Sequence, residues 1–229
     1  MKKIFFITVF FFIFALNLYS KDLNEIEEYK AILDVEGDIR ASMYVSMVRE
    51  NEGTWKLNSV IKKFGITFRK ETAVFKLTKD TIIPISWKRR GEAEVKFDWD
   101  KNELLFKEKK KKGILDLKQD VLGPATAQIK LRLDLRNYEL SLLPETLEYY
   151  VYFKGAIKKR IFRINGFETI NTPLGEFETI KVTREREADQ SREQIFWLAP
   201  DLDFSIVQIL NDDGKMRVKI KLKEVKSFD

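Results

Sequence analysis

The chain has 229 residues, no histidine, no cysteine and a formal net charge of +6. Without imidazole or thiol, Ser-His-Asp and Cys-His catalysis, zinc or copper centres built on those groups, disulfides and lipid-modified cysteines are all excluded. The basic excess is mild, short of the clustered Lys and Arg that nucleic-acid binding needs, so no nucleic acid, cofactor or metal is expected as a partner.

Met1-Lys2-Lys3 precedes an apolar run from Ile4 to Leu16 and then Asn17-Leu18-Tyr19-Ser20. That order is a secretory signal, with small Ser20 suited to the cut, so residues 1–20 are read as a signal peptide cleaved after Ser20. The alternative is a retained anchor, but the run is shorter than the ~20 residues a spanning helix needs. Losing Lys2 and Lys3 lowers the charge by two, to +4. The expected address is periplasmic or secreted, with no transmembrane segment after signal removal. Residues 21–229 suit a single all-β envelope domain held by burial alone.

Period-two alternation dominates from Tyr29 onward. Tyr29 to Val35, Ile39 to Val48, Trp55 to Phe64, Ile66 to Leu77, Ile82 to Lys88 and Glu94 to Trp99 read as strands. Turns such as Glu36-Gly37-Asp38 and Asn51-Glu52-Gly53 separate them. Leu104 to Phe106 and Ile114-Leu115 flank a run from Lys107 to Lys112. The run reads as a solvated hairpin tip, the alternative being contact with anionic lipid, glycan or nucleic acid.

Gly123 to Leu135 breaks the pattern. Pro124 suits a first helical turn, and Ala125, Ile129 and Leu133 fall on one face at spacing four, which predicts a central amphipathic helix. The alternation Ile129, Leu131, Leu133, Leu135 fits a strand equally well. Leu23 to Glu28 and Leu140 to Leu143 are further helical candidates.

The second half returns to strands: Leu147 to Lys154, Ile157 to Ile164, Phe167 to Ile170, Phe177 to Arg184, Gln194 to Leu198 and Ser205 to Leu210. Tyr150 and Tyr152 share one face of their strand, opposite Tyr149, Val151 and Phe153, which predicts a central strand covered on both sides. Asn211-Asp212-Asp213-Gly214 forms a hairpin turn into Lys215 to Lys223. There Met216, Val218, Ile220 and Leu222 take one face and the cations the other. The expected fold is mainly β: a strongly curved antiparallel sheet or half-open β-barrel with one central helix.

No catalytic residue is marked by spacing. Carboxylates such as Asp98, Asp100, Glu148, Glu168 and Glu178 could pair across a cleft, yet solvated strand faces explain them. Asp201-Leu202-Asp203 and Asp212-Asp213-Gly214 carry oxygen ligands but match turns better than a calcium loop. The aromatics read first as core. If the concave face instead opens to a ligand, Trp55, Trp87, Trp99, Tyr150, Tyr152 and Trp197 are the candidate binding residues.

The stretch Ile164 to Arg184, with Gly166, Glu168, Ile170, Thr172-Pro173, Gly175, Phe177, Thr179 and Lys181-Val182, resembles the bacterial exported family known as domain of unknown function number 3108. Phe196-Trp197-Leu198-Ala199-Pro200-Asp201, Ile83-Pro84, Phe97-Asp98, Asp120 and Leu131-Arg132 fit the same family. Gly123 departs from the serine expected before the helix. The resemblance spans most of Tyr29 to Val225 and implies an exported antiparallel β protein without an established activity. The Thr-Pro-x-Gly-x-Phe turn also resembles periplasmic lipoprotein carriers, at the level of fold alone. Together these point to a non-enzymatic periplasmic protein that binds a hydrophobic or lipid-like ligand or acts as an envelope scaffold. The alternatives are a carboxylate-dependent envelope glycan hydrolase and a protein–protein interaction module with an envelope partner.

Overall fold

A computed structural model describes residues 28–37, 40–51, 53–78, 81–118, 120–186 and 193–227. The signal segment and the first helical candidate, apart from Glu28, lie outside the described residues.

The first half is a meander of β1 (Tyr29–Glu36), β2 (Ala41–Asn51), β3 (Thr54–Lys63), β4 (Ile66–Leu77), β5 (Ile82–Arg89), β6 (Ala93–Asp98), β7 (Glu103–Glu108) and β8 (Lys112–Asp116). The short β9 (Val121–Leu122) leads to helix α1 (Thr126–Arg136) and a 3₁₀ turn at Leu140–Leu142. Then follow β10 (Thr146–Phe153), β11 (Ala156–Thr172), β12 (Gly175–Arg184), β13 (Glu193–Ala199), a 3₁₀ turn at Pro200–Leu202, β14 (Ser205–Asp212) and β15 (Arg217–Ser227).

All strands form one 15-stranded sheet in the order β8-β7-β6-β5-β4-β3-β2-β1-β15-β14-β13-β12-β11-β10-β9. Every neighbouring pair is antiparallel except β9–β10. The first and last long strands meet, because β1 pairs with β15 from Tyr29↔Ser227 to Glu36↔Lys219. The sheet is strongly curved but is not closed into a barrel: its edges, β8 and β9, do not pair with each other.

Alternation along each strand builds a continuous inner wall. Met47 pairs with Leu57, Leu57 with Ala73, Ala73 with Trp87 and Trp87 with Val95. On the other side Val182, Phe196, Ile209, Ile220 and Val35 form an equivalent row. The lysines of β15 point outward, as the alternation predicts, while Ile220 and Leu222 are buried.

Side chains close the gap that backbone pairing leaves. The Phe106 ring of β7 lies 5.9 Å from Tyr152 of β10. The Tyr152 hydroxyl donates to Glu108 Oε1 at 2.8 Å and accepts the Gly155 N–H at 3.1 Å. Glycines permit this approach: a Cβ at Gly113 would stand 3.0 Å from the Phe106 ring. This corrects the sequence reading of the tyrosine strand. It is next to last in the sheet, not central, and Tyr150 on it is 53% exposed while Tyr152 is buried in the seam.

The predicted helix forms, beginning two residues past Pro124. Its start is tied by Thr126, whose hydroxyl accepts the Gly123 N–H at 2.8 Å. Ala127, Ile129, Leu131, Leu133 and Leu135 are all buried, so the helix is enclosed round most of its circumference. That is why its apolar residues also alternate like a strand.

Two predicted strands, Ile157 to Ile164 and Phe167 to Ile170, are one continuous β11 interrupted by a bulge between Ile164 and Phe167. Gly166, at φ 86°, absorbs the kink. The β11–β12 hairpin then curls back, and the Leu174 N–H donates to the Leu222 carbonyl at 3.3 Å.

Candidate ligand cavity

The curved sheet and the helix enclose a cavity of about 760 Å³. Its apolar wall comes from inward positions such as Leu33, Met47, Leu57, Phe162, Phe196 and Ile209. The first turns of α1 supply Ala127 and Ile129.

One end is stoppered by the helix. Arg132 Nε donates to the Asp203 carbonyl at 2.7 Å and its Nη2 to Asp203 Oδ2 at 2.5 Å. Arg136 Nε stands 2.8 Å from Asp203 Oδ1. Asp203 sits at φ 53°, a left-handed conformation that aspartate tolerates better than most residues. Tyr29 lies beneath, with the Arg132 guanidinium 5.8 Å from its ring. Burial raises the pKa of its hydroxyl, an effect partly offset by Arg132. From β10, Tyr149 donates to Asp134 Oδ2 of the helix at 2.8 Å. Burial and the Asp134 carboxylate both push that phenol upward, so it stays protonated.

Toward the other end the wall becomes polar. Glu71 takes Arg69 Nε at 2.5 Å, Arg89 Nε at 3.1 Å and Trp87 Nε1 at 3.3 Å. Across the cavity, Arg160 and Arg184 are buried on the wall, with the Arg160 guanidinium 4.8 Å from the Phe153 ring. Gln194 Nε2 donates to Asn211 Oδ1 at 2.8 Å on the same side.

Of the six aromatics singled out from sequence, Trp87 and Tyr152 line this cavity. Trp55 is buried in the core beneath the Arg49 guanidinium. Trp99 donates to the Pro84 carbonyl at 2.7 Å and stacks on Phe97 in a separate hollow. Tyr150 faces outward. Trp197 is buried on the outer side, where its indole N–H donates to Glu168 Oε2 at 3.2 Å. Lys181 and Trp197 together hold the Glu168 carboxyl below its ordinary pKa.

Sequence reasoning missed the polar wall. Arg184 shares strand parity with Ile180 and Val182, and Arg160 with Phe162. A cation on the apolar parity of a strand was the available signal.

A family model described as "Protein of unknown function (DUF3108)" matches residues 26–225. The chain belongs to the DUF3108 family. No curated protein matches this DUF3108 chain. Among solved structures, it resembles a β-barrel-like protein of domain of unknown function DUF1849 from Brucella abortus, with 10% identity and a TM-score of 0.55, over 90% of this chain and 99% of that one. It also aligns with a protein from Bacteroides fragilis described as exported and of YmcC-like fold, with 14% identity and a TM-score of 0.43, over 89% and 97% of the two chains. The Pseudomonas aeruginosa MucA/MucB complex aligns with 6% identity and a TM-score of 0.38, over 90% of this chain and 54% of that one. The Brucella structure confirms a β-barrel-like fold for the DUF3108 chain. No described helix is long and apolar enough to cross a membrane.

Proposed function

We propose that this DUF3108 protein is a non-enzymatic exported binding protein that holds an apolar or lipid-like ligand inside its half-closed barrel. In this reading residues 1–20 direct export and are removed after Ser20, leaving one envelope domain. The cavity carries the proposal. Its volume of about 760 Å³ falls within the ~300–1,000 Å³ of small-molecule sites, and its mostly apolar wall with a few convergent polar groups has the composition of such sites.

The carboxylate-pair alternative draws no support from the cavity wall. Of the carboxylates on the wall, Glu71 is held by Arg69 and Arg89, Glu108 by Tyr152, Asp203 by Arg132 and Arg136, and Glu28 by the Arg49 N–H, while Asp201 sits on the same corner as Asp203, two residues away. An interaction module is the second reading, motivated by β8, an edge strand whose Ile114 is 59% exposed.

Native mass spectrometry of the protein purified from its own host, followed by lipid extraction, tests the first reading. A bound amphiphile of defined mass is the expected result. Repeated preparations that carry no ligand and take up no acyl chain contradict it. Crosslinked envelopes separate the two readings, because a carrier copurifies with lipid and an adaptor with protein.

A further inference from the structure

We infer that the end of the barrel opposite the helix stopper docks on an anionic phospholipid bilayer, with the β3–β4 hairpin as its insertion finger. The inference stands on surface geometry and charge and does not require the cavity to be occupied.

The finger extends past its neighbours. On one side β2 accompanies β3 only as far as Ser42↔Lys62, and on the other β5 joins β4 only from Glu71↔Arg89. The Arg90 N–H donates to the Lys70 carbonyl at 2.9 Å, and residues 63–69 beyond it stand clear of the wall as a two-stranded tip. Phe64, Ile66 and Phe68 there are 92%, 66% and 61% exposed. Ordinary surface apolar residues are scattered singly, whereas a contiguous exposed group marks an interaction surface.

Phe64 is also strained. It sits at φ 50° beside Gly65 at φ 77°, a hairpin turn in which both central residues need positive φ and Asn-Gly is the favoured pair. A bulky aromatic in that conformation is a steric outlier. The tip thus gives up both solubility and backbone ease to present an aromatic ring, and backbone strain of this kind gathers at functional sites.

The charge around the ring identifies the partner. Lys62, Lys63 and Lys70 flank the tip, with Lys63 Nζ 5.5 Å from the Phe64 ring. The antiparallel order places the turn after β7 at the same end, and Lys107 and Lys109 to Lys112 are all exposed there. The turns at the opposite end carry Asp98, Asp100, Asp116, Asp120, Glu145 and Asp201. Glu36, Glu92, Glu185, Asp212 and Asp213 lie in the other turns of the finger's end, and Lys101 and Lys118 at the far end, so the basic, aromatic character is concentrated in the finger and the turn after β7. Aromatic and aliphatic side chains flanked by lysines suit the headgroup region of an anionic bilayer.

Because the chain has no cysteine, Thr67→Cys supplies a single labelling position in the finger and Lys101→Cys one at the far end. With an environment-sensitive fluorophore, the expected result is a blue shift at position 67, and none at 101, on phosphatidylcholine–phosphatidylglycerol vesicles. Phe64→Asn combined with Phe68→Ser lowers vesicle affinity about tenfold or more through lost apolar burial, and Phe64→Asn relieves backbone strain, so folding is not at risk. Lys110→Gln and Lys111→Gln each lower affinity about fivefold. Absence of vesicle binding by the unsubstituted protein, an equal shift at position 101, or adsorption reversed by salt with no shift at position 67 would overturn the inference. The last of these outcomes is what a polyanion-binding surface, for nucleic acid or an acidic protein, would give.

Discussion

The Arg132 guanidinium and the Asp203 carboxylate, 71 positions apart in sequence, meet at 2.5 Å. The contact fastens the only α-helix among the described residues to the corner between β13 and β14 and so closes one end of the barrel. Arg132 is fixed by its place on a buried helix, and Asp203 by a left-handed backbone held through its carbonyl as well as its side chain.

Replacing Asp203 with Asn keeps the tolerance for that backbone and removes the charge. The variant is expected to lose about 2 kcal/mol, the size of a charge-assisted hydrogen bond. A double-mutant cycle with Arg132→Met, followed by urea unfolding, should show coupling of at least ~1 kcal/mol. Additive effects would mean that the stopper is not held by this pair.

The side-chain seam gives a second expectation. Tyr152→Phe removes the donor to Glu108 and the acceptor of the Gly155 N–H, a loss of about 2 kcal/mol for two hydrogen bonds. Because no backbone ladder joins β7 to β10, amide hydrogen exchange across β7 and β8 should accelerate more than exchange across β1 and β15. Uniform acceleration throughout the sheet would show that the seam is not a separate opening unit.

Glu168 supplies a pH dependence. Its folded pKa is lowered by hydrogen bonds from Lys181 and Trp197. A carboxyl with a lowered folded pKa stabilises the fold above its unfolded value, about 4.3, and that contribution vanishes as pH falls through the folded value. The group is largely exposed, so the effect is small, under about 1 kcal/mol. Thermal unfolding of Glu168→Gln should show a lower Tm than the unsubstituted protein at neutral pH, with the gap closing on acidification below the unfolded value. A gap that widens instead contradicts the assigned sign.

Much of the fold was legible because half-buried strands write their pairing into the chain. Ile66 to Leu77 matches its strand end for end, and the lysine alternation of the last strand appears on the outer face as expected. What escaped depends on contacts between residues distant in sequence. Gly166 looks like punctuation, but only the pairing of β11 with β12 shows it to be a bulge within one strand. Tyr150 and Tyr152 look equivalent until the sheet curves and brings Phe106 against one of them. The six aromatics had equal standing in sequence, and only the curvature sorts Trp87 and Tyr152 onto the cavity wall from Trp55, Trp99, Tyr150 and Trp197. Asp203 resembled a turn residue, and the arginines that clamp it, Arg132 and Arg136, come from a helix 71 and 67 positions earlier.

The cavity as a ligand site meets its most direct test in tryptophan quenching by brominated fatty acids. Trp87 lines the cavity, whereas Trp55, Trp99 and Trp197 do not. Binding inside the barrel predicts saturable quenching of the unsubstituted protein and loss of most of that quenching in Trp87→Phe, with thermal stability checked alongside. No saturable quenching, or quenching undiminished in the Trp87→Phe variant, would contradict a ligand held within the barrel.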